Sequence, residues 1–180
     1  AQHREMLDEV LNIFDVKADY DLNIMKKNQS LTKLSSRLLE SLDKVLKNRF
    51  DLVFVHGDTT TSFFGALESY YHKIDVAHIE AGLRTNNIYS PYPEELNRQL
   101  TSKIAKYHFA PTIEAKNNLL KENINKNTFV VGNSVVDALF LALKKIENNL
   151  KLEKQILEKI GYKFSNKNSF NYRTQKRKFW

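Results

Sequence analysis

Two short apolar segments, each leading directly into a polar cluster, constrain the fold of this chain more than any other feature. DLVFV (51–55) precedes HGDTTT (56–61), and DVAHI (75–79) precedes EAGLRT (80–85). An uninterrupted apolar run is typical of a strand that is buried on both faces of a parallel sheet. We therefore predict an α/β domain whose functional residues lie at the carboxyl edge of its sheet.

The rest of the chain continues this alternation. Apolar residues at helical spacing predict a first helix at 4–14, and Ser30 is a good N-cap for a long amphipathic helix at 31–49. A brief extended piece is expected at 21–25. The later segments predict helices at 59–73, 93–106, 113–123 and 134–150, and two further strands at 106–112 and 127–133. Four strands that alternate with helices indicate one parallel sheet.

Composition limits the class of protein. The chain has no cysteine, which excludes a disulfide framework and suits a reducing cytoplasm. No apolar stretch approaches the ~18 residues of a membrane span, so we expect a soluble cytoplasmic protein without a membrane partner. Six basic residues and no acid lie in 163–180; without them the chain has 22 basic and 21 acidic residues. The net charge of +7 thus belongs to the tail and predicts no nucleic-acid-binding face.

The same two-residue spacing of histidine and carboxylate follows both strands. His56 precedes Asp58, and His78 precedes Glu80. One interpretation is a metal site, because these residue types bind transition metals. The other is that the histidines are partly buried strand residues and the carboxylates bind helix N-termini. No third group of ligands is apparent, so we predict no metal.

An anionic ligand explains the polar clusters better. Asp58 and three threonines stand at a strand-to-helix turn, where free N–H groups and the helix dipole attract anions. Arg84 and Arg98 are either phosphate ligands or members of structural ion pairs, and composition leaves both readings open. Paired carboxylates can perform general acid and base catalysis. From the residues alone we predict half of an enzyme site for a phosphorylated ligand.

Several strings together identify a family. AQHREML (1–7), DYDLNIM (19–25), VHGDTTT (55–61), HIEAGLRT (78–85), YSPYPEELNR (89–98) and VGNSVVDAL (131–139) resemble the non-hydrolysing UDP-N-acetylglucosamine 2-epimerases. These isomerases make UDP-N-acetylmannosamine for surface polysaccharides and use no metal or other cofactor. The resemblance implies a Rossmann-like parallel sheet with helices on both faces, as the first half of a two-domain GT-B-like fold.

The resemblance also implies roles for particular residues. Asp58, Glu80 and Glu94 match the catalytic carboxylates, which act while UDP is eliminated and added back. The candidate substrate-binding residues are Arg98, Thr59 and Arg84. Gln2 and His3 match a stretch associated with a regulatory UDP-N-acetylglucosamine site. A UDP-sugar substrate and a homodimer are the expected partners.

The chain departs from the family pattern at both ends. From the family pattern we expect it to begin after at least one ~30-residue βαβ unit and to lack the second domain, which carries a catalytic histidine in G-H-R-R-E. We divide it into a domain at 1–162, incomplete at its start, and a disordered basic tail at 163–180. One back-translation of 168–180, read one base later, encodes IHLITGHRRENFG, so we interpret the tail as frameshifted. We expect an exposed sheet edge and no turnover by this chain alone; the alternative is a non-catalytic remnant that binds ligand weakly or associates with a partner.

Overall fold

The computed structural model describes residues 4–26, 28–47, 50–159 and 161. The chain divides into two units, Ala1–Val135 and Val136–Trp180. The elements in chain order are α1 (Arg4–Phe14), α2 (Leu31–Leu46), β1 (Leu52–His56), α3 (Thr60–Tyr71), β2 (Asp75–Ile79), α4 (Glu94–Ile104), β3 (Tyr107–Ala110), α5 (Ile113–Lys121), β4 (Thr128–Val130), α6 (Ser134–Glu147) and α7 (Leu150–Lys159). Gln2, His3 and the predicted tail at 163–180 lie outside the described residues.

The first two helices form where the apolar spacing predicts them. Ser30 caps α2 as expected, since its side chain accepts a hydrogen bond from the Lys33 N–H. The predicted extended piece at 21–25 is not a strand. Asn23 there has φ +42°, and its N–H donates to the Asp21 side chain, a local bond that competes with sheet pairing.

The four predicted strands form one parallel sheet in the order β1-β2-β3-β4. His56 lies beside Ile79, and Ile79 lies beside Phe109, so the carboxyl ends of these strands share one edge. Within the described residues, β1 pairs only with β2 and β4 only with β3. The α/β fold class and the parallel sheet are therefore confirmed.

One face of the sheet is covered by helices. Val55 and Val76 form the core with Ala66 of α3, and Ile104 at the end of α4 packs against this cluster. Because Gly65 has no side chain, α3 can pack closely against β1; a Cβ at this position would lie 3.3 Å from Val55 Cγ1. This cluster of the core thus lies between the sheet and these two helices.

The opposite face carries a row of phenylalanines. Phe109 stacks on Phe54 at 6.3 Å and on Phe129 at 5.8 Å between ring centroids. Phe54 is 60% exposed and Phe129 is 47% exposed. Because these large apolar side chains remain accessible, the sheet has an uncovered aromatic surface on this face.

The second unit consists, in its described part, of α6 from Val136 onward and α7. No residue of either helix is buried. The sequence predicts α6 closely, whereas α7 is not among the predicted helices. No helix in the described part of the chain is both long and apolar enough to cross a membrane.

The turn after β2 packs against α5 through a glycine. Gly82 has φ +89°, and a Cβ there would lie 2.1 Å from the backbone oxygen of Ala115. Asn118 of α5 also donates to the Gly82 carbonyl at 3.1 Å. Only a residue without a side chain fits between this turn and α5.

We predict that Gly82→Ala lowers the free energy of unfolding by about 3 kcal/mol or more, because two backbone segments must separate. Gly132→Ala is the matched control: Gly132 has φ +80°, but nothing lies within 4 Å of its Cβ position. It should cost only about 1 kcal/mol, the penalty for positive φ. Urea unfolding followed by circular dichroism measures both; equal losses would contradict the close-approach argument.

Candidate active site at the carboxyl edge of the sheet

The turn between β1 and α3 presents the first candidate residues. Gly57 has φ +68°, which lets the chain reverse after the strand. Thr59 is the N-cap of α3, and its Oγ1 accepts from the Ser62 N–H at 3.2 Å. His78 lies beneath this turn, with its Nε2 2.8 Å from the Gly57 carbonyl oxygen, to which it donates. Strand β2 therefore supports the turn that carries Asp58.

Helix α4 reaches the same turn from the other side. Its Asn97 donates to the Asp58 carbonyl at 2.9 Å, and Arg98 Nη2 lies 3.1 Å from Asp58 Oδ2. Both side chains are one turn into the helix, and Glu94 stands in its first turn. These contacts join the end of β1 to the start of α4, which are 39 residues apart.

The three predicted catalytic carboxylates lie near one another. Glu80 has φ +64°, and its Oε2 lies 3.4 Å from His56 Nε2 and 3.3 Å from where a Cβ on Gly57 would be. Burial raises the pKa of Asp58; the Arg98 charge opposes this shift, and the charges of Glu94 and Glu80 add to it. A carboxyl group with a raised pKa, as at Asp58, can hold and release a proton nearer to neutral pH.

A carboxylate that the sequence analysis missed organises this edge. Glu95 is fully buried and accepts hydrogen bonds from the Thr85 N–H (3.1 Å), the Asn86 N–H (3.2 Å) and Gln99 Nε2 (2.8 Å). Arg98 Nε lies 3.3 Å from it. Burial alone would raise the pKa of Glu95, but these hydrogen bonds and the Arg98 charge outweigh it and lower the pKa. The available signal was its position three residues before Arg98.

Arg84 is held beneath the edge. Its side chain is 2% exposed and binds Glu122 with two nitrogens, Nε at 2.6 Å and Nη2 at 3.1 Å. Its Nη2 also donates to Ser102 Oγ at 3.0 Å. In this arrangement Arg84 ties the EAGLRT turn to α4 and to the end of α5, and a direct contact with substrate stays a prediction.

The two histidines of the metal alternative do not converge. His78 is paired with Val55 across β1 and β2 and is buried on the helix-covered face. His56 is the next residue along β1, so its side chain lies on the opposite, aromatic face. Burial lowers the pKa of His78 to about 4, partly offset by its hydrogen bond to Gly57. Its second ring nitrogen, Nδ1, has no hydrogen-bond partner among the described residues.

We predict that Glu95→Gln lowers the free energy of unfolding by about 3 kcal/mol, because it leaves Arg98 with less charge compensation and two loop N–H groups with a weaker acceptor. Glu114→Gln is the control, since Glu114 is exposed in the first turn of α5. It should change stability by only a few tenths of a kcal/mol. Denaturant titration at neutral pH compares them, and an equal effect of the two substitutions would contradict this role for Glu95.

We also predict that stability falls as pH drops through the range between about 6.5 and 4. The lowered pKa of His78 means that the unfolded chain binds a proton in this range and the folded chain does not. The contribution of His78 to the free energy of unfolding is therefore complete above pH 6.5, and about 3 kcal/mol of it is lost when the pH reaches 4. His78→Gln can keep a donor for Gly57 but does not titrate, so unfolding curves of this variant should depend less on pH; an unchanged dependence would contradict the assignment.

Comparison with known proteins shows the same family that the motifs of this edge indicate. The family model described as UDP-N-acetylglucosamine 2-epimerase matches residues 1–171. The UDP-N-acetylglucosamine 2-epimerase of Neisseria meningitidis is 57% identical over 149 residues, which are 82% of this chain and 40% of that protein. The Bacillus subtilis enzyme of the same name is 58% identical over 141 residues, 77% of this chain and 37% of that protein.

Solved structures give the same result. The Neisseria meningitidis UDP-GlcNAc 2-epimerase bound to UDP-GlcNAc matches with a TM-score of 0.82 at 53% identity, over 89% of this chain and 44% of that one. The Methanocaldococcus jannaschii enzyme, in complex with UDP-GlcNAc and UDP, matches with a TM-score of 0.74 at 43% identity, over 82% and 41%. The chain thus spans less than half of the length of these relatives, and it belongs to the UDP-N-acetylglucosamine 2-epimerase family.

Proposed function

We propose that the carboxyl edge of this sheet is one wall of a UDP-N-acetylglucosamine 2-epimerase active site. The observation that carries the proposal is that Asp58 lies 3.1 Å from Arg98 Nη2 and within range of the Glu80 and Glu94 charges. Such a group of carboxylates can transfer protons, while the arginine limits their mutual repulsion. The names of the similar structures, which are bound to UDP-GlcNAc or UDP, support the choice of ligand.

The chemistry explains why several carboxylates are needed. A base removes the C2 proton while the C1–O bond to UDP breaks, which leaves a 2-acetamidoglucal; UDP then adds back as C2 receives a proton on the other face. The proton and UDP are both returned, so the reaction is an isomerisation. Since the proton leaves and arrives on opposite faces of the sugar, at least two proton-transferring groups are required. Asp58, Glu80 and Glu94 are the candidates.

Two other residues are assigned to ligand binding. Thr59 stands at the N-terminus of α3, where the helix dipole favours the negative charge of a diphosphate. Arg98 presents its guanidinium beside Asp58 at the same edge. We assign to Arg84 the positioning of the EAGLRT turn, because its side chain is buried against Glu122. The homodimer, the cytoplasmic location and the absence of nucleic-acid binding stay predictions from the sequence.

The edge supplies one wall, and Asp58 remains partly exposed on it. An elimination that releases UDP needs a second wall to retain it, so we propose that this chain has no turnover by itself and at most binds the nucleotide sugar weakly. An assay for UDP-N-acetylmannosamine with the purified chain tests this. Measurable turnover by residues 1–180 would contradict it.

A chimera tests the catalytic assignment separately. We predict that the Neisseria meningitidis enzyme remains active when its aligned stretch is replaced by the matching 149 residues of this chain. In the chimera, Asp58→Asn, Glu80→Gln and Glu94→Gln should each reduce epimerisation by about 100-fold or more, measured as product formed and as solvent deuterium gained at C2.

The matched control is Asp51→Asn, which removes an exposed carboxylate at the start of β1, away from the carboxyl edge. It should leave the activity of the chimera unchanged. A folded chimera without activity, or full activity in any of the three carboxylate variants, would contradict the proposed roles.

A further inference from the structure

We propose that Asp43, Glu68 and His72 form a binding site for one divalent transition-metal cation, with Zn²⁺ as the best fit. The potential ligand atoms of these three residues all lie within 4.8 Å of one another. The cluster takes no part in the proposed epimerase chemistry. It lies at the amino edge of the sheet, because α2 and α3 end here and lead into β1 and β2.

The spacing of the ligand atoms fits a tetrahedral ion. His72 Nε2 lies 3.1 Å from Asp43 Oδ1 and 3.3 Å from Glu68 Oε1. In a tetrahedral zinc site with bonds of about 2.0–2.2 Å, two ligand atoms are separated by roughly 3.4 Å. Small side-chain movements would therefore admit the cation, and a water molecule would complete the four ligands.

The backbone already holds the three residues in place. Glu68 and His72 are four residues apart at the end of α3, so they lie on the same side of that helix. Asp43 stands in the last turn of α2, which packs against α3. The negative ends of two helix dipoles therefore meet near the cluster, and they favour a cation there.

The burial of Glu68 favours a cation beside its carboxylate. Its side chain is only 8% exposed, and its one ionic contact within the described part of the chain is with His72. A buried carboxylate is costly without a compensating charge. The same Nε2 of His72 lies 3.1 Å from Asp43 Oδ1, so the two carboxylates share one imidazole. A divalent cation would neutralise both carboxylates and use the Nε2 lone pair.

Lys47 is the competing cation in the structure. Its Nζ lies 2.6 Å from Asp43 Oδ2, which leaves Oδ1 facing His72 and Glu68. Lys47 is exposed, so it can move away or stay on the outer oxygen when a metal binds. An imidazole with two carboxylates suits Zn²⁺ or Co²⁺, whereas Mg²⁺ and Ca²⁺ prefer oxygen ligands alone.

The test is titration of the chelator-treated full chain with Zn²⁺ and with Co²⁺. We expect one equivalent of Zn²⁺ to bind by calorimetry and Co²⁺ to give the visible absorption of a tetrahedral complex. Zn²⁺ at a hundredfold excess over its dissociation constant should raise the unfolding temperature by roughly 5–10 °C. No saturable binding at millimolar Zn²⁺ would overturn the proposal.

Variants locate the ion. His72→Gln should weaken Zn²⁺ binding at least about tenfold, and Asp43→Asn provides the same test should the first variant fail to fold. Lys47→Ala removes the competitor and should tighten binding. His56→Gln is the matched control: this histidine is 3.4 Å from the Glu80 carboxylate at the other edge of the sheet, and its loss should leave the affinity unchanged. Unchanged affinity in both His72→Gln and Asp43→Asn, or loss of binding in His56→Gln, would overturn the assignment.

Discussion

The candidate active site depends on the Arg98 side chain, which lies between two carboxylates. Glu95, fully buried, holds Arg98 Nε at 3.3 Å, and Asp58 meets Arg98 Nη2 at 3.1 Å. A buried carboxylate is tolerated only when charge and hydrogen bonds compensate it. Glu95 meets this condition by accepting from the N–H groups of Thr85 and Asn86, at the end of the EAGLRT turn. Through Arg98 it thereby connects this turn, α4 and the end of β1.

This arrangement also controls the electrostatics of the edge. Asp58, Glu80 and Glu94 would repel one another strongly without a nearby positive charge. Arg98 supplies that charge to Asp58 on one side, while Glu95 prevents the guanidinium from swinging away. As a result, burial and the acidic neighbours raise the pKa of Asp58, and the charge of Arg98 limits this rise. The ion pairs Glu95–Arg98 and Arg98–Asp58 therefore serve both the packing of this edge and its electrostatics.

The two faces of the sheet differ for a reason visible in the sequence. In each strand, alternate residues point to opposite faces. Val53, Val55, Val76 and His78 lie on the helix-covered side, and Phe54, Phe109 and Phe129 lie on the other. The strands are apolar on both sides, so their sequence predicts burial on both, yet the phenylalanine row remains exposed. That mismatch agrees with a chain that spans less than half of the length of its relatives.

The sequence by itself determined the four strands, most of the helices, the edge that carries the polar clusters and the family. These follow from periodicity, capping and short motifs, which are local properties of a chain. Only the tertiary structure decided which charges meet. It pairs Arg84 with Glu122, 38 residues away, makes Glu95 a buried anchor beside Glu94, and separates His56 from His78. It also brings Asp43 to Glu68 and His72. Sheet register and helix packing set these pairings, and neither can be read from the spacing of residues within one segment.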